Sequence, residues 1–484
     1  MLLKRNRMFR TLAIFTLILS LGLAACAPAS EPAAEVDEQP AGEEASSEEV
    51  AEEPASESGE ELYTVKFVVW PGPESDAAQV MVDYFNANHA AEAGFNVELL
   101  LFGRDQLFAK QDAIMAAQSS EVDTFFVTSP TLLKYQQFLE PLDSYLEDPE
   151  VNLWGATPDD LMSGVIGAYY LDGALYGLPS DVSTHFLYYR TDYIGELLTN
   201  ADWQATYTDI CEAETGQALE PKEPAEWTWD DYVCASYFFT QQYNPDSPTV
   251  YGNYTQGKAI FPTSFQWSNT LWSYGGEWFT EAGDPDFLSD AAMEAAQIWA
   301  LNWEAELTPA GSITGEYPEA NEAFKTGNVA FGLQWNAAFN ELNAEDSPVH
   351  GLLNIVATPA GPAGRYTYTQ SIGYGLSAFS EHKEEAASWL LWTMTEEANQ
   401  VYAEAGGVPA HAAVLSGMAG ENLMFGALSE VVGNYGRPVL PQAGYFQDMV
   451  IENLANGWSG SVSLEEALQQ LQDDATIEKE SRGL

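Results

Sequence analysis

The sequence predicts an α/β fold, a mainly parallel sheet flanked by helices, and three observations lead there. Between residues 63 and 138, short runs rich in β-branched and aromatic residues alternate with runs whose apolar positions recur at helical spacing. The β runs stop at turn signals, Pro71-Gly72-Pro73 and Thr128-Ser129-Pro130. Hydrophobic residues make up 46% of the 484-residue chain and charged residues 19%, enough apolar material for more than one core.

Residues 63–70 read as a strand, 77–89 as a helix with Val80, Met81, Tyr84 and Phe85 in register, and 95–102 as a second strand. A helix over 107–118, a short buried strand over 122–127 and a helix over 132–138 continue the alternation. Crossovers of this kind join parallel strands, and ligands collect at the carboxyl ends of such strands. Trp70, Thr128 and Ser129 occupy those ends. Farther on, 173–181 leads into a strand over 185–192, and Thr228 before Trp229-Asp-Asp-Tyr232 is a helix start. Residues 261–278 are dense in aromatics and amides, among them Phe265, Asn269 and Trp272. A helix over 290–303, a turn and strand over 324–335, a strand over 376–379, a long helix over 384–405 ended by Gly406-Gly407-Val408-Pro409, and a late helix over 464–473 complete the reading.

Asp and Glu number 73 against 17 Lys and Arg, a formal charge of −56. That excludes a nucleic-acid binder working through a basic face, because phosphate affinity comes from Lys and Arg. Lys4, Arg5, Arg7 and Arg10 precede an apolar run over 12–25, shorter than the ~20 residues of a membrane span, so residues 1–25 are expected to be a secretion signal. The run ends in Leu23-Ala24-Ala25-Cys26, which resembles a bacterial lipobox and implies acylation of Cys26 and a membrane-held protein. Residues 27–61 carry 13 acidic residues and no basic one, with no aromatic, and are expected to be a disordered acidic tether.

With Cys26 lipidated, Cys211 and Cys234 remain as an even pair in an oxidising compartment, which suggests a disulfide; two separate buried thiols are the alternative. No CxxC occurs and the five histidines are scattered singly, so neither a metal centre nor a cofactor is expected.

Several segments, in order, carry a family resemblance: Phe67-Val-Val-Trp70, Val122-Asp-Thr-Phe-Phe-Val-Thr-Ser129, Leu139-Glu-Pro-Leu-Asp-Ser-Tyr145, Leu187-Tyr-Tyr-Arg190, Leu271-Trp-Ser-Tyr-Gly-Gly-Glu-Trp-Phe279, Ala323 to Trp335 and Gly373-Tyr-Gly375. Together behind a lipobox they resemble the bacterial extracellular solute-binding lipoproteins of sugar ABC importers, of the maltose/oligosaccharide-binding type. The resemblance implies a two-lobed periplasmic-binding-protein fold hinged by three crossings, near Asp181, Ala357 and Gly407. It assigns 62–180 with 357–407 to one lobe and 181–356 with 408–484 to the other. It also implies a monomer that closes on a small-molecule sugar and presents it to ABC permease subunits. Residues 200–226, which hold Cys211, are an insertion relative to that pattern.

A neutral saccharide offers C–H faces and a rim of hydroxyls, so its site needs aromatic platforms edged by Asp, Asn, Gln and Ser. Trp70, Trp272, Trp335 and Tyr374 match the cleft positions of the family, with Ser129, Asp181, Gln334 and Asn336 as hydrogen-bonding partners; Tyr189 and Tyr445 are further candidates, and Trp229 is expected to pack in the core. A cationic solute such as a polyamine is the rival ligand class, through cation–π and carboxylate contacts. A glycoside hydrolase using an Asp/Glu pair is the enzymatic alternative.

Overall fold

A computed structural model describes residues 62–484 apart from positions 105, 421, 440 and 441. The expected signal segment, Cys26 and the acidic run lie outside the described residues. No helix among the described residues is long and apolar enough to cross a membrane.

Eleven strands are present among the described residues: β1 Tyr63–Val69, β2 Phe95–Leu101, β3 Thr124–Thr128, β4 Tyr170–Leu171, β5 Ala174–Leu175, β6 Leu178–Arg190, β7 Tyr251–Tyr254, β8 Val329–Trp335, β9 Leu353–Val356, β10 Thr367–Leu376 and β11 Gly436–Pro438. β1 and β2 pair in parallel, joined by the helix Pro73–Asn88 as the alternation predicts. The seven-stranded sheet runs β11-β10-β6-β8-β7, with β3 on β10 and β9 on β6. Its pairing is mixed rather than mainly parallel: β10–β11 and β7–β8 are parallel, while β10–β3, β10–β6, β6–β8 and β6–β9 are antiparallel. The crossover rule holds where a helix links neighbouring strands. β6 and β10 instead return from distant parts of the chain and pair head to tail.

These two strands run through both halves of the body. Ile372–Leu376 of β10 pair with β3, whereas Thr367–Thr369 pair with β11 and lie beside Thr184. Residues 357–369 belong with the second half: Trp229 N–H donates to Ala360 C=O, Ala363 N–H to Ser273 C=O, and the Arg365 guanidinium to Ala225 C=O. Long-range pairing thus keeps residues 357–369 with the second half and brings Ile372–Leu376 to the first. β10 also replaces the strand expected over 376–379; the run Thr-Tyr-Thr-Gln-Ser-Ile-Gly-Tyr-Gly-Leu is polar and glycine-containing, yet every residue of it is buried. The helix expected over 384–405 is two, Lys383–Trp392 and Glu396–Glu404, the second started by Thr395, whose Oγ1 accepts from Ala398 N–H.

Contacts between the halves include two on opposite sides of the junction. The helix Ala443–Trp458 packs on the helix Ser129–Tyr135, and a Cβ on Gly444 would stand 2.0 Å from Pro130 C=O, so only glycine permits this approach. On the other side Arg104 reaches from the loop after β2 to Tyr317, the first residue of the helix Tyr317–Lys325. In the second half, Cys211 of the helix Ala201–Thr215 and Cys234 of the helix Trp229–Phe238 form a disulfide, Cα to Cα 4.9 Å. Trp229 is buried there, its Nε1 donating to Ser273 Oγ at 2.8 Å.

Candidate functional site: an aromatic cleft between the halves

The strand ends place a continuous line of rings across the junction. Trp70, immediately after β1, packs on Phe126 at 4.6 Å, and the Arg104 guanidinium lies 4.5 Å from its ring and 5.6 Å from that of Tyr317. Tyr317 neighbours Trp335 at 6.3 Å, Trp335 meets His185 at 4.4 Å, His185 meets Tyr368 at 4.5 Å, and Tyr368 stacks on Phe265 of the helix Phe261–Ser273 at 5.0 Å. His185 and Trp335 are cross-strand partners in the β6–β8 ladder, as Ser183 and Gln370 are in β6–β10. Side chains directly opposite share a sheet face. The floor of the cleft is thus the face of β8, β6 and β10 that carries Trp335, His185, Ser183 and Gln370. A cavity of about 460 Å³ opens beside it, bounded by Gly72 and Arg104 on one side, Tyr317 and Asn340 on the other, and Gly406.

Polar groups line the floor and walls. Glu74, in the first turn of the helix Pro73–Asn88, is buried, and its charge raises the proton affinity of Asp181, Tyr317, Tyr368, Tyr374 and Tyr402, so its carboxylate sits where both halves converge. Ser183 and Tyr368 share a 2.6 Å hydrogen bond. Among the described residues, Glu74 Oε2, His185 Nε2, Gln256 Oε1, Gln370 Oε1 and both amide atoms of Gln266 are buried without a hydrogen-bond partner. Unpaired buried polar atoms are costly, and those of His185 and Gln370 lie on the floor face with hydrogen bonds a polar ligand could complete.

The sequence candidates divide. Trp70 and Trp335 lie in the ring line, and Ser129 is buried at the start of its helix beside the Gly444 contact. Gln334 and Asn336 adjoin the line but their amides are fully engaged. Gln334 donates to Tyr317 C=O and Asn321 Oδ1 and accepts from Gln256 Nε2; Asn336 accepts from Thr184 N–H and donates to Val182 C=O. Asp181 ties β6 to the later chain, its Oδ2 accepting from Val408 N–H at 2.9 Å and Tyr402 Oη at 3.0 Å. Burial, and then the charge of Glu74, pushes its carboxyl well above the usual range.

Tyr374 is buried in the first half against Phe67 at 4.3 Å. Tyr445 sits at the contact between the halves, its hydroxyl donating to Leu133 C=O, with the Arg482 guanidinium 3.9 Å from its ring. Tyr189 and Trp272 are not brought to the floor. Tyr189 lies four residues beyond His185 along β6, roughly 13 Å, and accepts from Asn354 Nδ2. Trp272 instead shares a small cavity with Phe265, the last ring of the line, and lies under Arg437, which pairs with Glu277.

Glu74, Arg104, His185, Gln266, Tyr317, Tyr368 and Gln370 escaped the sequence reading. Its one available signal was the density of aromatics and amides over 261–278, which contains Gln266 and the partner of His185, Asn269. Among the described residues no group of three or more His, Cys, Asp or Glu is arranged to hold a metal ion.

The arrangement can bind, between two halves, a solute that stacks on rings and exchanges hydrogen bonds in both directions. Maltose-bound MalE3 of T. maritima superposes with a TM-score of 0.70 at 19% identity, covering 86% of this chain and 99% of that one. The α-D-tagatose-bound ABC transporter solute-binding protein of Thermotoga lettingae superposes with a TM-score of 0.69 at 18% identity, with the same 86% of this chain and 99% of its own. These likenesses establish the two-lobed periplasmic-binding-protein fold. A Brucella abortus protein named for binding, with no solute stated, is 27% identical over 252 residues, 52% of this chain and 52% of its own; the chain spans about half the length of the curated relatives it matches. Residues 71–400 match the model of the bacterial extracellular solute-binding proteins, and the chain belongs to that family.

Proposed function

We propose that the protein is the non-enzymatic, substrate-binding component of an ABC importer, capturing a neutral sugar or oligosaccharide between its lobes and handing it to membrane permease subunits. The observation that carries this reading is the line Trp70, Tyr317, Trp335, His185, Tyr368, edged by buried polar atoms with hydrogen bonds still to make. Flat rings match the C–H faces of a sugar, and Gln266, Gln370 and Glu74 match its hydroxyls. The solutes named for the two superposed structures, maltose and α-D-tagatose, support the class.

In this reading the hinge consists of β6 at Asp181, β10 near Gln370 and the chain near Gly407, and closure presses Tyr317 and Gly444 against the first lobe. The same reading takes residues 1–25 as a signal, Cys26 as a lipid anchor on the outer face of the cytoplasmic membrane, 27–61 as its tether and the protein as a monomer. A polyamine is the second reading, favoured by the unpaired, buried Glu74 beside several rings. Calorimetric titration with maltose, α-D-tagatose and spermidine separates them: heat with a sugar supports the proposal, and heat with spermidine alone overturns it.

A further inference from the structure

We propose that His185 donates a hydrogen bond from Nε2–H to the bound solute, and that this fixed donor restricts the cleft to solutes presenting an oxygen acceptor above the β6 floor. The inference rests on the junction being the solute site and adds the residue that discriminates among solutes.

The proton position follows from neighbours. Tyr368 N–H donates to Asn269 Oδ1 at 2.7 Å, which fixes the orientation of that amide. Asn269 Nδ2 then faces His185 Nδ1 at 3.0 Å and must be the donor, so Nδ1 accepts and the ring proton sits on Nε2. The ring is fully buried, and burial lowers its proton affinity well below the ordinary histidine value, so it stays neutral. Nε2–H has no acceptor among the described residues. Trp335 and Tyr368 flank the ring at 4.4 and 4.5 Å on the cleft face, where a sugar stacked on Trp335 would bring its hydroxyls alongside.

The surroundings give this donor its discriminating power. Glu74 Oε2 and Gln370 Oε1 are acceptors, suited to hydroxyls or ammonium groups alike. A hydroxyl also accepts and so satisfies His185, whereas a protonated polyamine offers only donors and leaves Nε2–H facing N–H. A site built around a buried donor rejects ligands that cannot pair with it.

The test uses the purified chain labelled with 15N-histidine, His185 being assigned by loss of its signals in His185→Gln. At neutral pH, two-bond 1H–15N spectra should show Nδ1 bare and Nε2 protonated before ligand is added, and the Nε2 proton should shift when maltose or α-D-tagatose binds. By calorimetry His185→Phe should bind the sugar about tenfold more weakly, the loss of one buried hydrogen bond, and His185→Gln, which keeps an N–H donor, should recover most of that. An Nδ1–H tautomer, an imidazolium at neutral pH, or equal sugar affinity in wild type and His185→Phe would overturn the role of His185 while leaving the sugar reading standing. Binding of spermidine alone would overturn both. If His185→Phe does not fold, the tautomer spectrum and the His185→Gln affinity decide.

Discussion

Asn336 and His185 lie one residue apart across the β6–β8 ladder and are equally buried, yet their polar atoms have opposite fates. Both ends of the Asn336 amide hold β6 backbone, Thr184 N–H at 2.9 Å and Val182 C=O at 2.8 Å. His185 uses one nitrogen on Asn269 and keeps the other unpaired on the cleft face. The difference teaches that a polar residue at a strand end is part of a binding site only if its hydrogen-bonding capacity is not already committed to the fold. Asn336 shapes the floor; His185 has a bond left to make.

The largest expected effect breaks the committed side. Asn336→Leu strands a buried N–H and a buried C=O, and urea denaturation should show a loss of about 4 kcal/mol; unchanged stability with lost sugar binding would reverse the contrast. Removing the disulfide by Cys211→Ser with Cys234→Ser should cost roughly 3 kcal/mol of stability and leave sugar affinity intact, because the staple joins two helices of the second half away from the floor. Trp335→Ala should weaken sugar binding by about thirtyfold, or ~2 kcal/mol, with little change in folding, since this ring is only partly buried at the cleft.

The smallest effect is a matter of sign. The Asp181 carboxyl binds its proton more tightly in the folded than in the unfolded chain, so as pH rises above the ordinary value of 3.8 the native state loses stability relative to acid. Asp181→Asn keeps an acceptor for Val408 N–H and Tyr402 without that penalty. Its melting temperature should exceed that of wild type at neutral pH, and the gap should shrink as pH falls toward 3.8; a gap that widens on acidification would mean Asp181 is held ionised.

What the sequence displayed was local. The strand-helix-strand order of β1 to β3 is set by short-range periodicity, the Thr228 cap by a four-residue pattern, and Trp335 by its place at a strand end; all three are present. What it hid depends on partners far along the chain. β10 is polar and glycine-containing, so it lacks the apolar alternation of a strand, and its burial comes from pairing with β3, β6 and β11. That residues 357–369 side with the second half is decided by β11 and by Trp227 to Ser273, and no window of sequence contains them. His185 stood alone in the sequence, and its meaning came from Asn269, 84 residues later.

The central question is whether the cleft takes a neutral polyhydroxylated solute. Thermal unfolding of the chain with saturating maltose, α-D-tagatose or spermidine reads that in one experiment, since a ligand bound only by the folded state raises the melting temperature in proportion to its occupancy. A rise with a sugar and none with spermidine is the predicted result; a rise with spermidine and none with either sugar would contradict it.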